Sequence, residues 1–131
     1  LDFRTPHAIG ERIGRTDYEP LAFGNGYDHN WALDKPEAGT VSLAAEAYEP
    51  ATGIRMKIYT DQPGLQFYAG QGMDGKEAVS YTHLRAHETG IALETQNFPD
   101  APNHDNFPSS VLRPGETYTQ HTVYAFETDE Q

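Results

Sequence analysis

The stretch TVSLAAEAYEPATGIRMKIYT, residues 40–60, decides the fold class. In its first half Val41, Leu43, Ala45 and Ala47 fall on one parity. Towards its end Ile54, Met56 and Ile58 alternate with Arg55 and Lys57. Alternation with a period of two sets one face of a strand on a core and the other in water. Between the halves lies Pro50-Ala51-Thr52-Gly53, a turn short enough to send the chain back antiparallel to itself. A hairpin of residues 40–49 and 54–60 is expected.

The flanking sequence extends this pattern. Residues 65–68 follow the Pro63-Gly64 turn as a third short strand. Residues 90–96 (GIALETQ) set Ile91, Leu93 and Thr95 against Ala92, Glu94 and Gln96, a fourth. Residues 117–126 are a fifth, rich in the Tyr, Thr, Val and Phe that fit a pleated surface. Residues 1–36 carry Gly10, Gly14, Pro20, Gly24, Gly26 and Pro36 and read as loops with short extended pieces. The Pro-rich residues 97–114 read as a further loop. No segment sustains a helical period and no repeat is visible, so the expected fold is all-β, an antiparallel β-sandwich.

Composition narrows the function. The chain has 131 residues, enough for one modest domain. Nine Lys and Arg face 20 Asp and Glu, a net charge of −11. Nucleic acid and anionic membrane surfaces reward a basic face, so neither is an expected partner. No run approaches the roughly 18 apolar residues of a membrane span. There is no Cys, which excludes disulfides, thiol nucleophiles and Cys-ligated zinc. Leu, Ile, Val and Phe together make up less than about a fifth of the chain, which at this charge is the composition of a disordered segment. The 8 Tyr, 6 Phe and single Trp, with the alternating segments, oppose that reading. The expectation that reconciles them is a piece of a larger protein whose remainder supplies core. The compartment stays open, with a cytoplasmic parent expected over an exported one.

Four stretches, in order, carry a family resemblance. They are Gly26-Tyr27-Asp28-His29-Asn30-Trp31, Thr60-Asp61-Gln62-Pro63-Gly64-Leu65-Gln66-Phe67-Tyr68, Leu93-Glu94-Thr95-Gln96-Asn97-Phe98-Pro99-Asp100-Ala101-Pro102-Asn103, and Phe107-Pro108-Ser109 leading to Leu112-Arg113-Pro114-Gly115-Glu116. Together they resemble the C-terminal part of the aldose 1-epimerase (galactose mutarotase) family, from about Leu1 to Phe126. The resemblance implies that residues 1–131 are part of one mutarotase-like β-sandwich, incomplete here. It implies an open cleft for a free aldose such as galactose or glucose, interconversion of the sugar's α and β anomers, and no metal or organic cofactor.

Anomer exchange opens the sugar ring. A base removes the proton of the C1 hydroxyl while an acid protonates the ring oxygen, and rotation about C1–C2 precedes closure. A carboxylate and an imidazole suit these roles because both can be tuned to exchange protons near neutral pH. By resemblance Glu94 is the base, and Asp28 and Gln66 bind sugar hydroxyls. An ionised carboxylate makes strong hydrogen bonds, and an amide both donates and accepts. The family's acid is a His in a His-x-Tyr-Phe-Asn stretch upstream of everything here, and a second His and an Arg lie further upstream. None of His7, His29, His83, His87, His104 and His121 sits in such a stretch. The resemblance therefore implies a fragment that lacks its general acid, with little catalysis of its own and with the missing N-terminal part as its partner. The alternative is a non-catalytic carbohydrate-binding module that keeps Asp28 and Gln66.

Outside those motifs each residue has an ordinary reading. Glu94 is then a solvated strand carboxylate, Asp28 a turn former and Gln66 a strand amide bonded to a neighbour. Trp31 is expected in the core rather than as a sugar platform. His29 and Asn30 are expected to brace the loop holding Asp28. His104 and Asp105 make a poor metal site, since two ligands in a loop are too few. Residues 78–89, AVSYTHLRAHET, place His83 and His87 four apart, a metal-ligand spacing if helical. The stretch also resembles, residue for residue, the conceptual translation of a sequencing-library adapter. It is expected to be an artefactual insert, and no metal site is assigned.

Overall fold

The computed structural model describes residues 1–72, 78–80, 83–84 and 90–129. Eight strands occur among them: β1 (Asp28–Ala32), β2 (Ser42–Glu49), β3 (Ile54–Thr60), β4 (Gly64–Tyr68), β5 (Ala78–Ser80), β6 (His83–Leu84), β7 (Ala92–Gln96) and β8 (Thr122–Thr128). One short helix, α1 (Glu19–Gly24), and 3-10 turns at Ile9–Glu11 and Ala101–Asn103 complete the described elements. The strands form two three-stranded sheets, ordered β1-β4-β7 and β2-β3-β8, while among the described residues β5 pairs with β6. The all-β expectation holds. The chain divides into two compact units, Leu1–His29 with Gln66–Leu93 and Asn30–Leu65 with Glu94–Gln131.

In the first unit an aromatic cluster supplies the core. Tyr27 is fully buried and stacks on Phe67, with centroids 5.1 Å apart, and Phe3 meets Tyr27 edge-on at 5.5 Å. The Arg12 guanidinium covers Phe3 from 4.8 Å. Residues 1–36 were expected to be loops with short extended pieces; β1 is such a piece, and helix α1 is the correction to that reading. Helix α1 is only six residues long, too short for a period to register, and has Pro within its first turn. Asn25, in the left-handed conformation, closes it, and the Gly26 N–H returns to the Leu21 carbonyl at 3.1 Å. Gly26 has φ +133°, a value side chains rarely adopt, and from it the chain enters β1.

The second unit contains the β2-β3-β8 sheet, antiparallel throughout. Ala45, Ile58 and Tyr124 stand opposite one another, as do Ala47, Met56 and Phe126. Directly opposed residues share a face. On the other face Arg55 pairs with Glu46 and lies 4.5 Å from the Tyr48 ring, and Lys57 reaches Glu127 at 2.9 Å. The hairpin is as expected, but its first strand does not keep one parity. The register shifts between Leu43 and Ala45, so Ala44 is the extra residue of a bulge. That shift puts Leu43 beside Tyr59 and Val123, away from Ile58, and leaves Leu43 exposed.

The expected strand at residues 117–126 begins later, at Thr122. Polar groups before it are committed elsewhere: the Tyr118 hydroxyl donates to Gln62 Oε1 (3.0 Å), and the His121 N–H donates to Asp61 Oδ2 (3.0 Å). Asp61 also accepts from the His121 ring Nδ1 (3.0 Å) and from Gln62 Nε2 (2.8 Å). Burial pushes its carboxyl up, but the hydrogen bonds from Gln62 and His121 outweigh burial and hold it below the ordinary carboxylate range. A carboxylate depressed in the folded state stabilises it above the unfolded value, near 3.9, and loses that contribution as pH falls through the folded value. Asp61→Asn is therefore expected to lower the urea midpoint at neutral pH and to flatten its decline in acid. An unchanged acid limb would refute this.

Within residues 78–89 the backbone of β5 and β6 pairs antiparallel. The remaining residues of that stretch, the His83/His87 side-chain pair and the insert reading lie outside the described residues.

Candidate functional site

Strand alternation sets the site. Tyr27 and Phe67 turn into the first unit's core, so their neighbours Asp28 and Gln66 turn outward. The Ala69 N–H donates to the Tyr27 carbonyl at 2.9 Å and ties the chain beside Asp28 to the end of β4. Across this join Gln66 Nε2 donates to Asp28 Oδ1 at 2.8 Å. Asp28 is exposed and Gln66 half-buried, so the pair is accessible. The structure thus brings together the two residues expected to bind sugar hydroxyls.

Glu94, the expected base, belongs to the other unit. It is exposed on β7, two residues before Gln96 and so on the same strand face. Gln96 Nε2 donates to Asn30 Oδ1 at 3.3 Å. Asn30 lies against Gly64, where a Cβ would come within 2.6 Å of its Oδ1 and 3.0 Å of the Phe98 ring. Only glycine leaves room for that amide. Gln96 was not singled out from the sequence, although its spacing of two from Glu94 was the available signal.

His29 braces Asp28 as expected: its Nδ1 accepts the Asp28 N–H at 3.1 Å, and its Nε2 lies 3.0 Å from the Pro20 carbonyl oxygen. Asn30 takes a different role, as the acceptor for Gln96. Trp31, expected in the core, is half-buried. His104 Nε2 lies 3.2 Å from Asp100 Oδ2, and among the described residues no group of three or more His, Asp or Glu could hold a metal ion.

The second unit also has a concavity of about 460 Å³, lined by Lys35, Asp61, Gln62, Asn97 and Tyr118 among others. Lys35 donates to the Thr40 and Thr60 carbonyls and to Ser42 Oγ, so its ammonium is spent on holding loop to strand. Burial pushes it below the ordinary lysine value against the pull of Asp61. Nothing in the polar sequence around Lys35 distinguished it from a surface lysine.

The family model described as Aldose 1-epimerase matches residues 1–125. The chain belongs to the aldose 1-epimerase family. It is 39% identical over 126 residues to galactose mutarotase of Rattus norvegicus, covering 96% of this chain and 34% of the relative. It is 35% identical over 128 residues to aldose 1-epimerase of Escherichia coli (strain K12), covering 96% of this chain and 36% of that one. Its fold superposes on the crystal structure of the GalM/aldose epimerase homologue from C. elegans with a TM-score of 0.64 and 31% identity, covering 79% of this chain and 30% of the other. The chain thus spans about a third of the length of the curated relatives it matches.

Proposed function

We propose that this chain carries the base and two sugar-binding groups of an aldose 1-epimerase acting on free aldoses such as galactose, with the general acid supplied by residues outside this sequence. The observation that carries the reading is the accessible Asp28–Gln66 contact in a member of this family. In this reading Asp28 and Gln66 hold ring hydroxyls, Glu94 takes the C1 hydroxyl proton, and the absent acid protonates the ring oxygen. The upstream part of the same domain is the partner. It covers the apolar end of the β2-β3-β8 face, where Phe126 is 68% exposed although Ile58 on the same face is fully buried. Residues 78–89 are an insert foreign to the domain, and long-read sequencing of the native locus tests that part.

A second reading, a carbohydrate-binding module without catalysis, has one observation in its favour. Both ring nitrogens of His29, the histidine next to Asp28, are engaged, so it is no substitute for the absent acid.

Polarimetry on freshly dissolved α-D-galactose separates the two. The 131-residue chain alone is expected not to speed mutarotation beyond the buffer rate, and the complete parent protein is expected to do so. A complete parent that binds galactose without accelerating its mutarotation would leave the binding-module reading standing.

A further inference from the structure

We infer that His29 is a positioning residue for Asp28, a neutral imidazole clamped between the Asp28 backbone and helix α1. The inference rests on the proposed sugar-binding role of Asp28. The Asp28 N–H needs an acceptor, and His29 Nδ1 provides one at 3.1 Å. A nitrogen that accepts carries no proton, so the ring proton sits on Nε2. Nε2 is 3.0 Å from the Pro20 carbonyl oxygen, in the first turn of α1, and donates to it. The two bonds require one and the same tautomer, and a protonated ring would keep only the second.

The helix supplies a further part of the clamp. At Gly24, the last residue of α1, a Cβ would stand 3.3 Å from His29 Cε1 and 4.0 Å from Asp28 Cβ. The imidazole therefore rests on a residue without a side chain. Asp28 is held from two sides, its backbone by His29 and its carboxylate by Gln66. With its N–H and Oδ1 fixed, the carboxylate presents Oδ2 in a set direction. Preset polar groups bind more tightly because less ordering remains to be done on association.

The experiment has two readouts on the complete parent protein. The first is nitrogen-15 NMR of the wild type, in which His29 is expected as the Nε2–H tautomer with a hydrogen-bond coupling from the Asp28 amide to Nδ1. A proton on Nδ1 overturns the clamp. The second is a double-mutant cycle on D-galactose affinity with His29→Ala and Asp28→Ala. His29→Ala is expected to weaken binding about tenfold when Asp28 is present and to have no further effect when it is absent. Equal losses in both backgrounds, or none in either, overturn the positioning role. If His29→Ala does not fold, His29→Phe replaces it in the cycle, keeping a ring in the same place and losing the acceptor for Asp28. A wild-type parent that binds no galactose overturns the proposed sugar site and with it the positioning role, whereas the tautomer measurement separately decides whether the clamp exists.

Discussion

Glu94→Gln in the complete parent protein is expected to slow mutarotation of α-D-galactose by about 10²–10⁴-fold, the usual contribution of a positioned base. The substitution keeps the size of the side chain and its hydrogen-bonding reach, but an amide does not accept the C1 hydroxyl proton. Glu94 is exposed on β7, so the exchange opens no cavity and leaves the fold intact. Asp28 and Gln66 keep their contact, so KM is expected to change little while kcat falls. A variant with wild-type kcat would remove Glu94 from the chemistry.

The second large effect concerns one face of one sheet. Ile58→Ala is expected to cost about 2–5 kcal/mol, because the side chain is fully buried at the centre of β2-β3-β8 and the void left behind closes only in part. Phe126 lies on the same face, opposite Met56, but is 68% exposed. Phe126→Ala is expected to change the stability of the isolated chain by no more than about 0.5 kcal/mol. In the complete protein the same substitution is expected to cost about 3–5 kcal/mol, if upstream residues cover the ring. Urea denaturation of both proteins reads the difference directly. Equal small effects in the two would mean that this face stays bare in the parent.

The hairpin was legible in the sequence because Ile54, Met56 and Ile58 alternate cleanly with two cations that find carboxylates on the opposite face. The bulge in β2 was not legible. Ala44 and Ala45 fit either side of a sheet equally well, so a one-residue shift leaves no trace in the pattern. Strand β1 was legible only as an unplaced extended piece. Asp28, His29 and Asn30 are turn-forming residue types, and they sit in a strand because a buried Tyr27 precedes them and β4 offers them a neighbour. Of the site, the identities of Asp28, Gln66 and Glu94 were readable only through the motifs around them. The Asp28–Gln66 contact joins residues 38 apart in the chain, and no local pattern encodes such a pairing. The clamp on Asp28 was half legible: bracing by His29 was expected, but the part played by Pro20 and Gly24 required knowing that a helix ends there.

The Asp28–Gln66 bond also gives the proposed sugar site a direction. An ionised carboxylate only accepts, so the Gln66 amide must turn its NH₂ towards Asp28. Its carbonyl oxygen then faces away, and the other carboxylate oxygen of Asp28 is likewise an acceptor. Two neighbouring acceptors ask a ligand for protons rather than lone pairs. A hydroxyl can answer them by donating; a fluorine of nearly the same size at the same carbon cannot. The pair should therefore distinguish sugars from their fluorinated isosteres by hydrogen-bond polarity, independently of shape.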